Sequence, residues 1–129
     1  MAGSGGEGTP TGRSCSPLRR SSSGARRGPL WSRHWRTPSY FEGHPFLTAD
    51  AAEFLVHCGV VLVGIDSYNI DDTADNLRPV HTALLGHGIP IVEHMTGLEQ
   101  LPPQGFRFFA VPVQIKGFGS FPVRAFAMF

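Results

Sequence analysis

Six consecutive apolar residues, Val60-Val-Leu-Val-Gly-Ile65, constrain this chain more than any other feature. The run is rich in β-branched side chains and far too short to span a bilayer. It reads as a strand covered on both faces. Such a strand needs helices packed on its sheet, and the flanking segments supply them. Thr48 is a good N-cap, and Asp50 and Glu53 follow where acids favour the helix dipole. Ala52, Leu55 and Val56 form a short apolar stripe and Gly59 supplies the stop, so the spacing predicts a helix of about three turns. Pro79 can open a second helix at its first position, with His81 in the first turn, Leu84 and Leu85 following, and Gly86 and Gly88 ending it.

The remaining elements follow in order. Ile89–Val92 is a short apolar strand that ends at Glu93, and Leu98–Leu101 makes a single turn before Pro102-Pro103. Phe106–Ile115 is a long apolar strand whose second half Pro112 places near an edge or bulge. Residues 116–120 turn the chain, and Val123–Phe129 is the closing strand. Helix, strand, helix and three further strands predict an α/β fold, a mixed β-sheet with flanking helices. The polar stretch Asp66–Arg78 carries four acids, Asp66, Asp71, Asp72 and Asp75. It leaves the C-terminal end of the first strand, the usual place for a site in open α/β sheets.

Composition divides the chain at Leu30-Trp31. Residues 1–29 are biased to Gly, Ser, Pro and Arg, with too little apolar surface to offset the cost of ordering, so disorder is expected there and a folded region over 30–129. Residues 1–36 carry seven arginines against one acid, whereas residues 37–129 carry four cations and nine acids. A mildly acidic folded part argues against nucleic acid as a partner. No apolar run is long enough for a membrane span. The two cysteines, Cys15 and Cys58, show no disulfide framework or zinc-finger spacing, which favours a reducing, cytoplasmic setting.

Three ionisable groups fall beside strand ends: Asp66, His81 and Glu93. His81 and Glu93 lie on consecutive elements joined by a tight glycine turn, so a helix start and the end of the next strand can converge on one cleft. Imidazole nitrogen and carboxylate oxygen both suit zinc or manganese, at roughly 2.0–2.2 Å for zinc. A catalytic zinc usually takes three protein ligands, so this pair alone makes an incomplete site. His34, His44, His57, His87 and His94 rank below His81 as ligands, His94 because on a strand it would face away from Glu93. Ser67 and Ser120 lack a Gly-x-Ser-x-Gly elbow, and no glycine loop is built to cradle phosphate.

Several sequence words in order resemble the cyclase family of metal-dependent hydrolases, which includes the bacterial kynurenine formamidases (arylformamidases). They are Phe41-Glu-Gly-His-Pro-Phe46, Gly64-Ile-Asp-Ser-Tyr-Asn-Ile-Asp-Asp72, Arg78-Pro-Val-His-Thr82, Gly88-Ile-Pro-Ile-Val-Glu93, Gly105-Phe-Arg-Phe-Phe-Ala-Val-Pro-Val113 and Gly117-Phe-Gly-Ser-Phe-Pro-Val-Arg-Ala125. The resemblance implies a swivelling β/β/α fold and one or two divalent metals, zinc or manganese. The substrate it implies is a small molecule with a linear amide. By position His81 matches the family's late histidine ligand and Glu93 its late glutamate. Asp66 matches no ligand and is left to orient the loop or a ligand from behind. The family's segment His-x-Gly-Thr-His-x-Asp-x-Pro-x-His has no counterpart, because four residues beyond the six histidines stand Pro38, Thr48, Val61, Leu85, Ile91 and Leu98. The expectation is that residues 30–129 are the C-terminal part of a cyclase-family domain, a truncated hydrolase weakly active or inactive alone. The alternative is a non-catalytic fragment that joins an intact homologue or a complementary chain. Unpaired strand edges further predict association between copies of the chain.

Overall fold

A computed structural model describes residues 30–129; the arm 1–29 and the disorder expected of it lie outside the described residues. Two single 3₁₀ turns, Trp31–His34 and Pro38–Phe41, open the described part. Helix α1 spans Ala49–His57 and starts as its sequence dictates, with the Thr48 hydroxyl accepting from the Ala51 amide at 3.3 Å. Gly59 follows with φ +68, the left-handed turn that glycine adopts at least cost. Strand β1 (Val63–Gly64), helix α2 (Pro79–Gly86) and strand β2 (Ile91–Val92) form a β-α-β unit. Its strands run parallel, with Val63 opposite Ile91 and Gly64 opposite Val92. A further 3₁₀ turn, Leu98–Gln100, leads to strands β3 (Arg107–Val111) and β4 (Arg124–Met128), an antiparallel pair.

The class is α/β, as expected. Its parallel and antiparallel components form two separate two-stranded sheets among the described residues. Ala52 of α1, Val80 and Leu84 of α2, and Ile70 and Ile89 from the loops form one buried cluster, with Val63, Ile65 and Ile91 packed against it. Both helices thus share a single core with β1 and β2.

The run Val60–Ile65 is more exposed than its composition predicts. Only Val63 and Gly64 pair, and Val61 is 85% exposed, because β1 has a single neighbour and Val61 points away from the shared core. Gly64 interrupts the run for a local reason: a Cβ there would stand 2.6 Å from the Met95 sulfur. The prolines shorten the other strands. β3 stops at Val111, just before Pro112, and β4 begins two residues after Pro122, as expected of residues that cannot donate to a ladder.

Candidate functional site

Helix α2 begins without a cap of its own. Its N-cap residue, Arg78, is left-handed at φ 48, and its side chain caps no backbone amide of the first turn. Asp71 does that work from nine and ten residues upstream of the two amides it caps. Its Oδ1 accepts from the Val80 amide at 2.7 Å and its Oδ2 from the His81 amide at 3.0 Å. The same Oδ2 lies 2.6 Å from His81 Nδ1. Asp71 is 1% exposed. Burial pushes its carboxyl pKa up, but the His81 ring, the two amides and the His81 charge pull down harder, and the net direction is below the usual carboxylate value.

With Nδ1 turned to Asp71, the other ring nitrogen of His81 faces Glu93: Nε2 and Glu93 Oε1 are 3.7 Å apart. Glu93 follows β2 directly, and its Oε1 accepts from the Ile70 amide at 2.8 Å. The structure therefore brings His81 and Glu93 together. A tetrahedral zinc with bonds of roughly 2.0–2.1 Å separates adjacent donors by about 3.3 Å, so the pair suits a divalent cation in donor type and nearly in spacing. In number it is short. Among the described residues no group of three or more His, Cys, Asp or Glu is arranged to hold a metal ion. A competitor stands alongside: Arg78 Nη2 lies 3.1 Å from His81 Nε2 and 3.3 Å from Nδ1.

Asp66, just past β1, lies on the side of the aromatic segment. Its Oδ2 accepts from the Ser32 amide at 3.1 Å, which ties the first 3₁₀ turn to the sheet. Within reach of the charges of Asp66 and Glu93 stands Tyr40, 1% exposed, whose hydroxyl shares a 3.0 Å hydrogen bond with His94 Nδ1. Burial, then the charges of Asp66 and Glu93, push the Tyr40 pKa up to about 12, so it remains a neutral hydroxyl. His94 adopts φ 57, rare for a side chain of its size, and its ring packs among Trp35, Tyr40 and Tyr68. His44 is buried beside Thr73 and Pro45, and His87 Nδ1 lies 2.8 Å from the Ala83 carbonyl. Cys58, at the C-cap of α1, is not a free thiol, contrary to the expectation of unpaired cysteines, and offers no nucleophile.

Sequence reasoning missed Asp71. It is one of four acids in a polar loop, and only the pattern Asn69-Ile-Asp71 hinted that it turns inward. Asn69 Oδ1 accepts from the Asp71 amide at 2.9 Å, a local turn that sends the Asp71 side chain under α2.

A cleft of about 1390 Å³ opens beside the site, lined by Trp35, Glu93, His94, Phe108, Phe121 and Phe126 among others. It admits a small molecule but is larger than the roughly 300–1,000 Å³ typical of a ligand pocket, so its shape selects none.

Comparison with known proteins agrees with the sequence words. Residues 27–72 match the family described as "Putative cyclase", and the resemblance to the cyclase family is borne out. More particularly, the chain is similar to kynurenine formamidases. It is 32% identical over 94 residues to that of Bacillus cereus, covering 73% of this chain and 44% of the relative. The Bacillus cytotoxicus protein gives the same identity and coverage. The Polaromonas naphthalenivorans protein is 33% identical over 66 residues, 51% of this chain and 29% of the relative. The matched region thus spans less than half the length of these curated relatives. No solved structure matches the chain significantly. No helix among the described residues is long and apolar enough to cross a membrane.

Proposed function

We propose that this chain carries the late part of a metal-dependent amide-hydrolase centre, arylformamidase-like, in which His81 and Glu93 hold a divalent cation. The observation that carries the reading is the approach of His81 Nε2 to Glu93 Oε1 at 3.7 Å, with the opposite ring nitrogen tied to a buried carboxylate. Metal-ligating histidines commonly show that arrangement. Zinc or manganese would supply Lewis-acid activation of water and of the amide carbonyl. The protein's own part is to orient the two donors and to line the cleft with Trp35 and His94. Two donors hold a catalytic cation weakly, so the chain alone has little or no activity, and further ligands come from another polypeptide segment.

Arg78 favours a second reading. A guanidinium 3.1 Å from His81 Nε2 can satisfy that nitrogen without a metal, leaving a non-catalytic chain that associates with an intact relative. Complementation separates the two. The chain is mixed with the amino-terminal half of the Bacillus cereus kynurenine formamidase, and hydrolysis of an N-formyl aromatic amine is followed with zinc or manganese added. Activity that appears only in the mixture and is lost in His81→Ala and Glu93→Gln supports the hydrolase. A mixture that forms a complex yet stays inactive with either metal contradicts it.

A further inference from the structure

We infer that the segment Asn69–Asp71 is a positioning clip for the His81–Glu93 pair, with Asp71 fixing His81 in the tautomer that presents a bare Nε2 towards Glu93. The inference deepens the metal reading and rests on it only for what the pair holds. Ile70 is fully buried, and its carbonyl accepts from the Leu47 amide at 2.9 Å, so the centre of the clip is anchored in the core. Its amide points the other way and holds Glu93 Oε1. The next residue holds His81. Two successive residues thus set the two donor side chains, and their separation is a property of one short stretch anchored in the core. Ser67 braces it from behind, its buried hydroxyl lying 2.7 Å from the Pro45 carbonyl and 3.0 Å from that of Asn69.

The tautomer follows from donor counting. Both Asp71 oxygens already face backbone N–H groups, which can only donate, so the carboxyl group is an acceptor here. The ring nitrogen 2.6 Å from Oδ2 must then carry the proton. In the neutral ring Nε2 is then left with a lone pair, which faces Glu93 Oε1 at 3.7 Å and the Arg78 Nη2 donor at 3.1 Å. Two acceptors held this close favour a positive charge beside them, a place that the Arg78 guanidinium takes here and that a divalent cation would contest. Asp71 is a positioning residue on this account, acting through His81.

Ring-nitrogen NMR on the ¹⁵N-labelled full chain in mildly alkaline buffer tests this. The expected wild-type spectrum shows His81 with Nδ1 protonated and Nε2 bare. In Asp71→Asn the ring moves to the other tautomer or a mixture, and zinc affinity falls roughly 10- to 100-fold. In Asp72→Asn, an acid one position along the chain, neither changes. The inference is overturned if wild-type His81 carries its proton on Nε2, or if a folded Asp71→Asn keeps both tautomer and zinc affinity. Should Asp71→Asn not fold, the wild-type spectrum alone decides. A chain that binds no zinc but holds the expected tautomer keeps the clip and removes the metal reading.

Discussion

The β-α-β unit and the β3–β4 hairpin use equally apolar strands and come to opposite states. β1 and β2 pair over two positions, yet the loops and helices around them bury Ala52, Ile70, Val80 and Leu84 completely. β3 and β4 pair over five positions, with Phe109 and Phe126 stacked at 4.9 Å, yet neither strand has a fully buried residue. Phe126 is 41% exposed, Met128 59% and Phe129 84%. Ladder length and packing are separate quantities, and helices covering a sheet face supply the second. His81 and Glu93 belong to the packed region. The hairpin offers an apolar surface that another polypeptide would cover, and we propose that copies of the chain associate through it.

The largest expected effect separates the two regions directly. Leu84→Ala removes a fully buried side chain and should cost about 2–5 kcal/mol, a large share of the roughly 5–15 kcal/mol that holds a small domain folded, read as a lower midpoint in urea titrations. Asp71→Ala comes next. It leaves two amides and a ring nitrogen without their acceptor, at about 1–3 kcal/mol by the same measurement. Its pH dependence has a definite sign. The folded pKa lies below the usual 3.8, so the carboxylate's contribution is complete above that value and is lost as pH falls through the folded one. Thermal midpoints of the wild type should therefore drop below about pH 3.8 more steeply than those of Asp71→Asn.

Thr48→Ala removes the α1 cap and should cost about 1 kcal/mol. Phe129→Ser, at the exposed end of the hairpin, should change stability least, by about 0.5 kcal/mol or less, while lowering concentration-dependent association in sedimentation velocity. A loss comparable to that of Leu84→Ala would show that the hairpin is packed after all.

Much of the packed region was legible because its signals are local. Thr48, Gly59 and Pro79 act within one turn of chain, and the helices begin or end where they stand. His81 and Glu93 were legible as residues at element ends. The extent of strand pairing was not, because it depends on neighbours that a run such as Val60–Ile65 does not specify. Asp71 stayed hidden for a related reason: its partners are nine and ten residues away, and nothing in composition separates it from Asp72 or Asp75 until the Asn69 turn is seen in three dimensions.

Zinc titration by calorimetry of the wild type, His81→Ala, Glu93→Gln and Arg78→Ala tests the central claim most directly. The account predicts weak binding in the wild type, loss in the first two variants, and equal or tighter binding in Arg78→Ala, where a competing charge is gone. Wild-type affinity that survives both His81→Ala and Glu93→Gln, or no binding in either the wild type or Arg78→Ala, would contradict it.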